Sequence, residues 1–263
     1  RDLDVNFDGT KVVFAMRAQF IEGADEEDQP TWNIWEFDAT TDTLRRIITS
    51  DTVEDEGHDI MPHYLPDGRI VFSSTRQRQS RAILLDENKP QYAAQDEDNN
   101  EPAFVLHVMD GDGENIRQIS FNQSHDRDPS VLANGQIVFT RWERAGDDNQ
   151  LDIFRVNPDG SGLELLYGAQ SHNTGAPDAT GQPTIVQFLQ PKAMPSGRTL
   201  ALVRPFQGTD EGGDLLLIDT PNYVDNTQRT LANGGLSGPA QTRALATDVR
   251  TFPGPSPGGR YGS

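Results

Sequence analysis

Leu65-Pro66-Asp67-Gly68-Arg69-Ile70-Val71-Phe72 returns as Leu132-Ala133-Asn134-Gly135-Gln136-Ile137-Val138-Phe139, and this return decides the fold. Looser copies are Asn6-Phe7-Asp8-Gly9-Thr10-Lys11-Val12-Val13-Phe14, Met194-Pro195-Ser196-Gly197-Arg198-Thr199-Leu200 and Ser256-Pro257-Gly258-Gly259-Arg260-Tyr261. Each sets a tight glycine turn in front of an apolar, β-prone run, which is the signature of a hairpin. The turn glycines fall at Gly9, Gly68, Gly135, Gly197 and Gly259, a period of about sixty residues.

Further strands follow each copy. The second runs are 32–37, 104–109, 151–156 and 214–218, and third runs follow a short turn at 44–49, 116–121 and 163–167. With a short strand ahead of the turn, at 63–65 or 130–132, a complete unit holds four antiparallel strands. Four-stranded units in series predict an all-β fold, a β-propeller, with four blades plus the start of a fifth in one domain over residues 1–263.

Composition narrows the function. The chain of 263 residues carries 41 acidic against 22 basic side chains, a formal charge of −19, which would repel nucleic acid and anionic membranes. Its apolar runs are too short to span a membrane. With no cysteine there is no disulfide, no thiolate ligand, no cysteine nucleophile and no c-type haem attachment, so no cofactor is expected in this chain beyond a divalent metal. Phosphate-binding glycine loops, H-E-x-x-H and G-x-S-x-G are absent, and Ser124-His125-Asp126 is too contiguous to form a triad. The chain opens at Arg1 and stops in what reads as mid-element, so it is expected to be a piece of a longer polypeptide.

In a propeller the glycine turns lie on one face, and the longer connections, at 18–31, 77–102, 143–150 and 206–213, collect on the other, the expected binding face. That face also receives the loops between units, which carry His58-Asp59, His125-Asp126 and His172. His58 and His125 each stand four residues before a proline, and Gln123-Ser124-His125 matches Gln170-Ser171-His172. One reading is an imidazole and carboxylate cluster at the channel mouth, able to hold a divalent metal or another ligand. The other is a repeated turn residue whose ring nitrogen ties down loop backbone. His63 and His107 fall within strands and read as packing residues. Arg17, Arg76, Arg141 and Arg204 recur near the ends of second strands, as ion-pair partners of acidic loops or as a cationic rim. Asp110-Gly111-Asp112-Gly113-Glu114-Asn115 aligns with hairpin turns of neighbouring units rather than with a calcium loop. Trp32, Trp35 and Trp142 read as blade core, with sugar stacking as the other role open to them.

The phrase around Leu65–Phe72, followed by Met109-Asp110-Gly111-Asp112-Gly113-Glu114-Asn115-Ile116-Arg117-Gln118-Ile119, resembles the TolB-type propeller repeat. Asp128-Pro129-Ser130-Val131-Leu132 leading into Phe139-Thr140-Arg141-Trp142, with Ile153–Gly162, resembles proteins related to the α subunit of hydrazine synthase. The resemblance implies a ring of six or more blades and a periplasmic or extracellular setting. It also implies a protein partner or further domains of the same polypeptide, with multihaem cytochromes nearby. The sequence therefore points to a non-catalytic binding or assembly module, the alternative being a metal-dependent or redox enzyme subunit.

Overall fold

A computed structural model describes residues 2–25, 28–88, 94–96, 101–144, 149–175, 177, 180–205, 213–233, 236 and 238–243. The expected fifth turn at Gly259 lies outside the described residues, as do parts of the long connections at 77–102, 143–150 and 206–213.

Sixteen strands form four antiparallel sheets of four among the described residues, each hydrogen-bonded in chain order. Blade 1 holds β1 (Asp4–Val5), β2 (Lys11–Met16), β3 (Asn33–Asp38) and β4 (Thr43–Arg46). Blade 2 holds β5 (Asp59–Tyr64), β6 (Ile70–Ser74), β7 (Val105–Met109) and β8 (Arg117–Gln118). Blade 3 holds β9 (Asp126–Val131), β10 (Ile137–Glu143), β11 (Gln150–Val156) and β12 (Glu164–Tyr167). Blade 4 holds β13 (Gln187–Ala193), β14 (Thr199–Arg204), β15 (Asp214–Ile218) and β16 (Gln241–Arg243). The fold is a β-propeller. It divides into two compact units, Arg1–Pro129 with Pro158–Ser161, and Ser130–Asn157 with Gly162–Ser263.

The recurring phrase acts through one turn. The amide of Gly68 donates to Leu65 O at 3.0 Å, and that of Leu65 donates to Arg69 O at 2.8 Å. Gly135 and Leu132, and Gly197 and Met194, repeat both bonds. All of these glycines have φ between 81° and 88°, a conformation that costs a Cβ-bearing residue more than glycine.

The blades share a second repeated device. Seven residues before the turn glycine, Asp2, Met61, Asp128 and Gln190 have φ of 55°, 55°, 54° and 48°. In the last three the next residue is proline, which normally holds its predecessor extended. The strand pairing slips there, between Ile60 and His63 in β5 and between Leu189 and Lys192 in β13. An X-Pro bulge thus interrupts the first strand of blades 2 and 4. At the bulge in the first unit, the Asp128 amide donates to Met61 Sδ at 3.2 Å.

Packing between blades 1 and 2 supplies the core of the first unit: Val13, Ile34, Ile47, Ile48, Tyr64, Ile70, Phe72 and Met109. The β7–β8 turn closes on it at Gly113, where a Cβ would stand 2.3 Å from Ile47 O. Gly160 repeats the contact on Ile119 O, at 3.0 Å. The loop before β5 contains a single turn of helix, α1 (Asp51–Glu54), and the long connection after β6 contains a second helix, α2 (Arg78–Asp86), absent from the four-strand plan of the sequence repeat. It lies along β8, where the Gln118 amide donates to Gln79 Oε1 and Gln118 Nε2 donates to Ser80 Oγ at 2.7 Å, so side chains of α2 satisfy an outer strand. In blade 4 the β15–β16 connection is long instead of short, and brings Tyr223 and Ala240 into the core of the second unit.

Candidate functional site

His58 and His125 do one job in successive loops. Nδ1 of His58 accepts the Trp32 amide at 3.1 Å, and the Asp59 amide donates to Trp32 O at 2.8 Å. Nδ1 of His125 accepts the Phe104 amide at 3.0 Å, and the Asp126 amide donates to Phe104 O at 2.7 Å. Each His-Asp pair therefore clasps the residue ahead of the third strand of the preceding blade. A neutral ring that accepts at Nδ1 carries its proton on Nε2, where it offers a donor rather than a lone pair for a metal. In the second unit the equivalent amide, that of Leu151, donates to Gln187 Oε1 at 2.7 Å. Gln187 stands four residues before Pro191, so it fills the slot that the Gln-Ser-His match had given to His172.

His172 sits elsewhere, buried, with Nε2 3.0 Å from Asp152 Oδ1 and Nδ1 against Val186 O. The ring faces two oxygen acceptors, an arrangement that favours the doubly protonated imidazolium. Burial pulls its pKa down, but the bonds to Asp152 and Val186 outweigh burial and the pKa is raised. Gly168 is obligatory beside this pair, since a Cβ there would stand 2.1 Å from Asp152 Oδ1. Ser171 Oγ donates to Asp225 Oδ1 at 2.8 Å, which anchors the same loop.

The arginines divide by role. Arg76 is buried and grips fully buried Asp59 through both nitrogens of a fork: Nε donates to Oδ1 at 3.1 Å and Nη2 to Oδ2. Nη1 donates to Val53 O at 2.9 Å and approaches Glu56 Oε2 at 3.5 Å. Burial pushes the Asp59 carboxyl up, and the guanidinium works against that shift. Arg17 is exposed and lies over the Trp32 ring, its guanidinium carbon 5.2 Å from the centroid. Arg141 is buried over Phe154 at 5.1 Å, and Arg204 is half-buried, in register with Gln187. Asp126 is buried and accepts from Asn122 Nδ2 at 3.2 Å. Among the described residues no group of three or more His, Asp or Glu side chains is placed to hold a metal ion.

Arg76 also lines a cavity of about 380 Å³ in the first unit. Its polar lining includes His107, Gln79 and Gln118, with Glu56 and Glu114, and Ile48, Val53 and Ile116 form an apolar wall. His107 is buried and stacked on Phe72, centroids 5.7 Å apart. Its Nδ1 donates to Val105 O at 3.0 Å, which leaves Nε2 as an acceptor. Burial, with Arg76 nearby, pushes its pKa down to about 3, so the ring is neutral. In the sequence His107 reads as a packing residue, and the cavity is not legible there because its walls come from an interblade loop, a helix and two strands of blade 2.

Blade 1 presents the other unusual surface. Cross-strand register lines up Val5, Val12, Phe37 and Leu44 in one row and sets Phe14 opposite Trp35 in the next. The opposite face, with Val13, Ala15, Ile34 and Glu36, is buried against blade 2. On the outer face Leu3 is 66% exposed, Val5 48% and Leu44 52%, and Val12, Phe14, Trp35 and Phe37 are only half-buried.

The chain has structural neighbours. Kuenenia stuttgartiensis hydrazine synthase superposes with a TM-score of 0.60 at 18% identity, over 96% of this chain and 34% of that one. TolB from Acinetobacter baumannii gives a TM-score of 0.41 at 13% identity over 78% of this chain and 40% of that one. An oligogalacturonate lyase solved with manganese gives 0.47 at 14%, over 95% and 54% of the two chains. The propeller fold is what is shared. This chain therefore spans about a third of the hydrazine synthase chain (34%). No family model matches the sequence, and no curated protein matches it. No helix among the described residues is long and apolar enough to cross a membrane.

Proposed function

We propose that the chain is a non-catalytic binding and assembly module whose outer blade-1 face docks a further four-stranded blade. The observation that carries this reading is the apolar face of Leu3, Val5, Val12, Phe14, Trp35, Phe37 and Leu44, left half open to water. A contiguous apolar patch of this kind marks a contact surface. Its occupant is argued from the opposite side of the same sheet. There, blade 2 covers Val13 and Ile34 with its own strands and closes on Ile47 through Gly113, so a blade is the shape these sheets accept. The imidazoles support the non-catalytic half, since His58 and His125 spend Nδ1 on backbone amides. The family resemblance adds an exported setting near c-type cytochromes to this reading.

The test is the double substitution Phe14→Lys with Phe37→Lys in the native polypeptide and its assembly. The expected result is loss of the assembly, or protease sensitivity of the covering blade, while the 263-residue chain with the same changes keeps its β circular dichroism. An assembly that tolerates both lysines contradicts the proposal.

A further inference from the structure

The cavity of about 380 Å³ between blade 2, its helix α2 and the loop that precedes β5 is independent of the docking face. It is large enough for a small organic ligand, and its polar groups converge on buried positions, as in a formed binding pocket. The electrostatics select the ligand class from two sides. The charge of Arg76 is matched by Asp59, and its guanidinium disfavours a cation in direct contact with it. Exposed Glu114 and half-buried Glu56, on a chain of net charge −19, repel an anion. What remains is an uncharged polar molecule.

The lining offers an acceptor and a donor. His107 presents Nε2 as an acceptor, because Nδ1–H is committed to Val105 O. Gln79 spends its oxygen on the Gln118 amide, which leaves its NH2 group as a donor. Hydroxyl groups, each a donor and an acceptor at once, satisfy such neighbours in pairs, and Ile48, Val53 and Ile116 accommodate the C–H face of a ring. We propose that this cavity binds a small uncharged polyhydroxyl compound, a sugar or cyclitol of one ring.

Titration calorimetry of the 263-residue chain with D-glucose and myo-inositol, and with glucuronate and glucosamine as charged counterparts, tests this. Binding of at least one neutral compound is expected, with both charged analogues at least about tenfold weaker. Ile116→Trp, which fills the cavity from its apolar wall, should abolish binding. His107→Phe should weaken it about tenfold through loss of one hydrogen bond. Gln79→Ala should weaken it by a similar factor, with circular dichroism and urea unfolding of the variant checking that loss of its bond to the Gln118 amide leaves the fold in place. Failure of both neutral compounds to bind, equal or tighter binding of a charged analogue, or binding unaffected by Gln79→Ala would each overturn the proposal.

Discussion

Blades 1 and 2 are built from the same four-strand plan, yet they bury their strands differently. In blade 2 every residue of β6 and β7 is buried; in blade 1 β2 alternates, with Val13 and Ala15 buried and Val12, Phe14 and Met16 half-buried. A sheet covered on both faces reads as an unbroken buried run, whereas one covered on a single face alternates. The sequences do not share this difference, since Val12, Phe14, Trp35 and Phe37 are as apolar as their blade-2 counterparts. Blade 1 has the side chains of an inner blade and the exposure of an outer one, which is why its open face is read as a docking surface.

Matched substitutions sharpen that contrast. Phe72→Ala removes a fully buried ring of blade 2 and is expected to cost about 3–5 kcal/mol in urea unfolding, whereas Phe14→Ala on the open face should cost under about 1 kcal/mol. A large cost at Phe14 would mean that the face is already covered. Next in size is Gly113→Ala, where a Cβ meets Ile47 O at 2.3 Å and φ is 89°; a loss of more than about 2 kcal/mol is expected.

Acid should separate the blades as well. Buried His107 of blade 2 binds its proton only near pH 3 in the folded state, against 6.5 as the ordinary value. Between those limits the unfolded chain holds more protons, so stability falls as pH drops below about 6.5, by about 2 kcal/mol at pH 5. His107→Phe should flatten this slope. Glu36 of blade 1 acts in a lower pH window and for another reason: burial pushes its pKa up, but bonds from Arg45, Tyr64 and Lys11 prevail and hold it below 4.5. Its contribution is present above pH 4.5 and is lost only as pH falls further, so a stability profile of Glu36→Gln should differ from wild type above that pH and converge with it in stronger acid. The smallest effect is expected in the β3–β4 turn, where Asp42 holds φ of 54° with a Cβ. Asp42→Gly should raise the thermal midpoint slightly, by no more than about 1 kcal/mol in stability.

The blades were legible because the glycine turn repeats in sequence as well as in space, and each turn positions strands on both sides. The histidine clasp was half legible. His58 and His125 share the spacing to Pro62 and Pro129, but the Gln-Ser-His phrase points to His172, while the third clasp belongs to Gln187, at the same spacing before Pro191. Function there requires only an acceptor for one amide, and glutamine and histidine both supply it, so identity matching fails where counting from the proline succeeds. Strand-end position suggests an acidic-loop partner for Arg76, but not that the partner is Asp59, which the sequence offers as a ligand candidate. The cavity beside the pair is not legible, because Arg76, His107 and Gln79 come from segments whose approach depends on α2, a helix set within an irregular insertion.

Covalent footprinting of Trp35 and Phe37 in the 263-residue chain and in the native polypeptide with its assembly tests the docking claim most directly. Heavy labelling of both rings is expected in the isolated chain and strong protection in the native assembly, with Phe72 protected in both. Equal labelling of Trp35 and Phe37 in the two samples would contradict it.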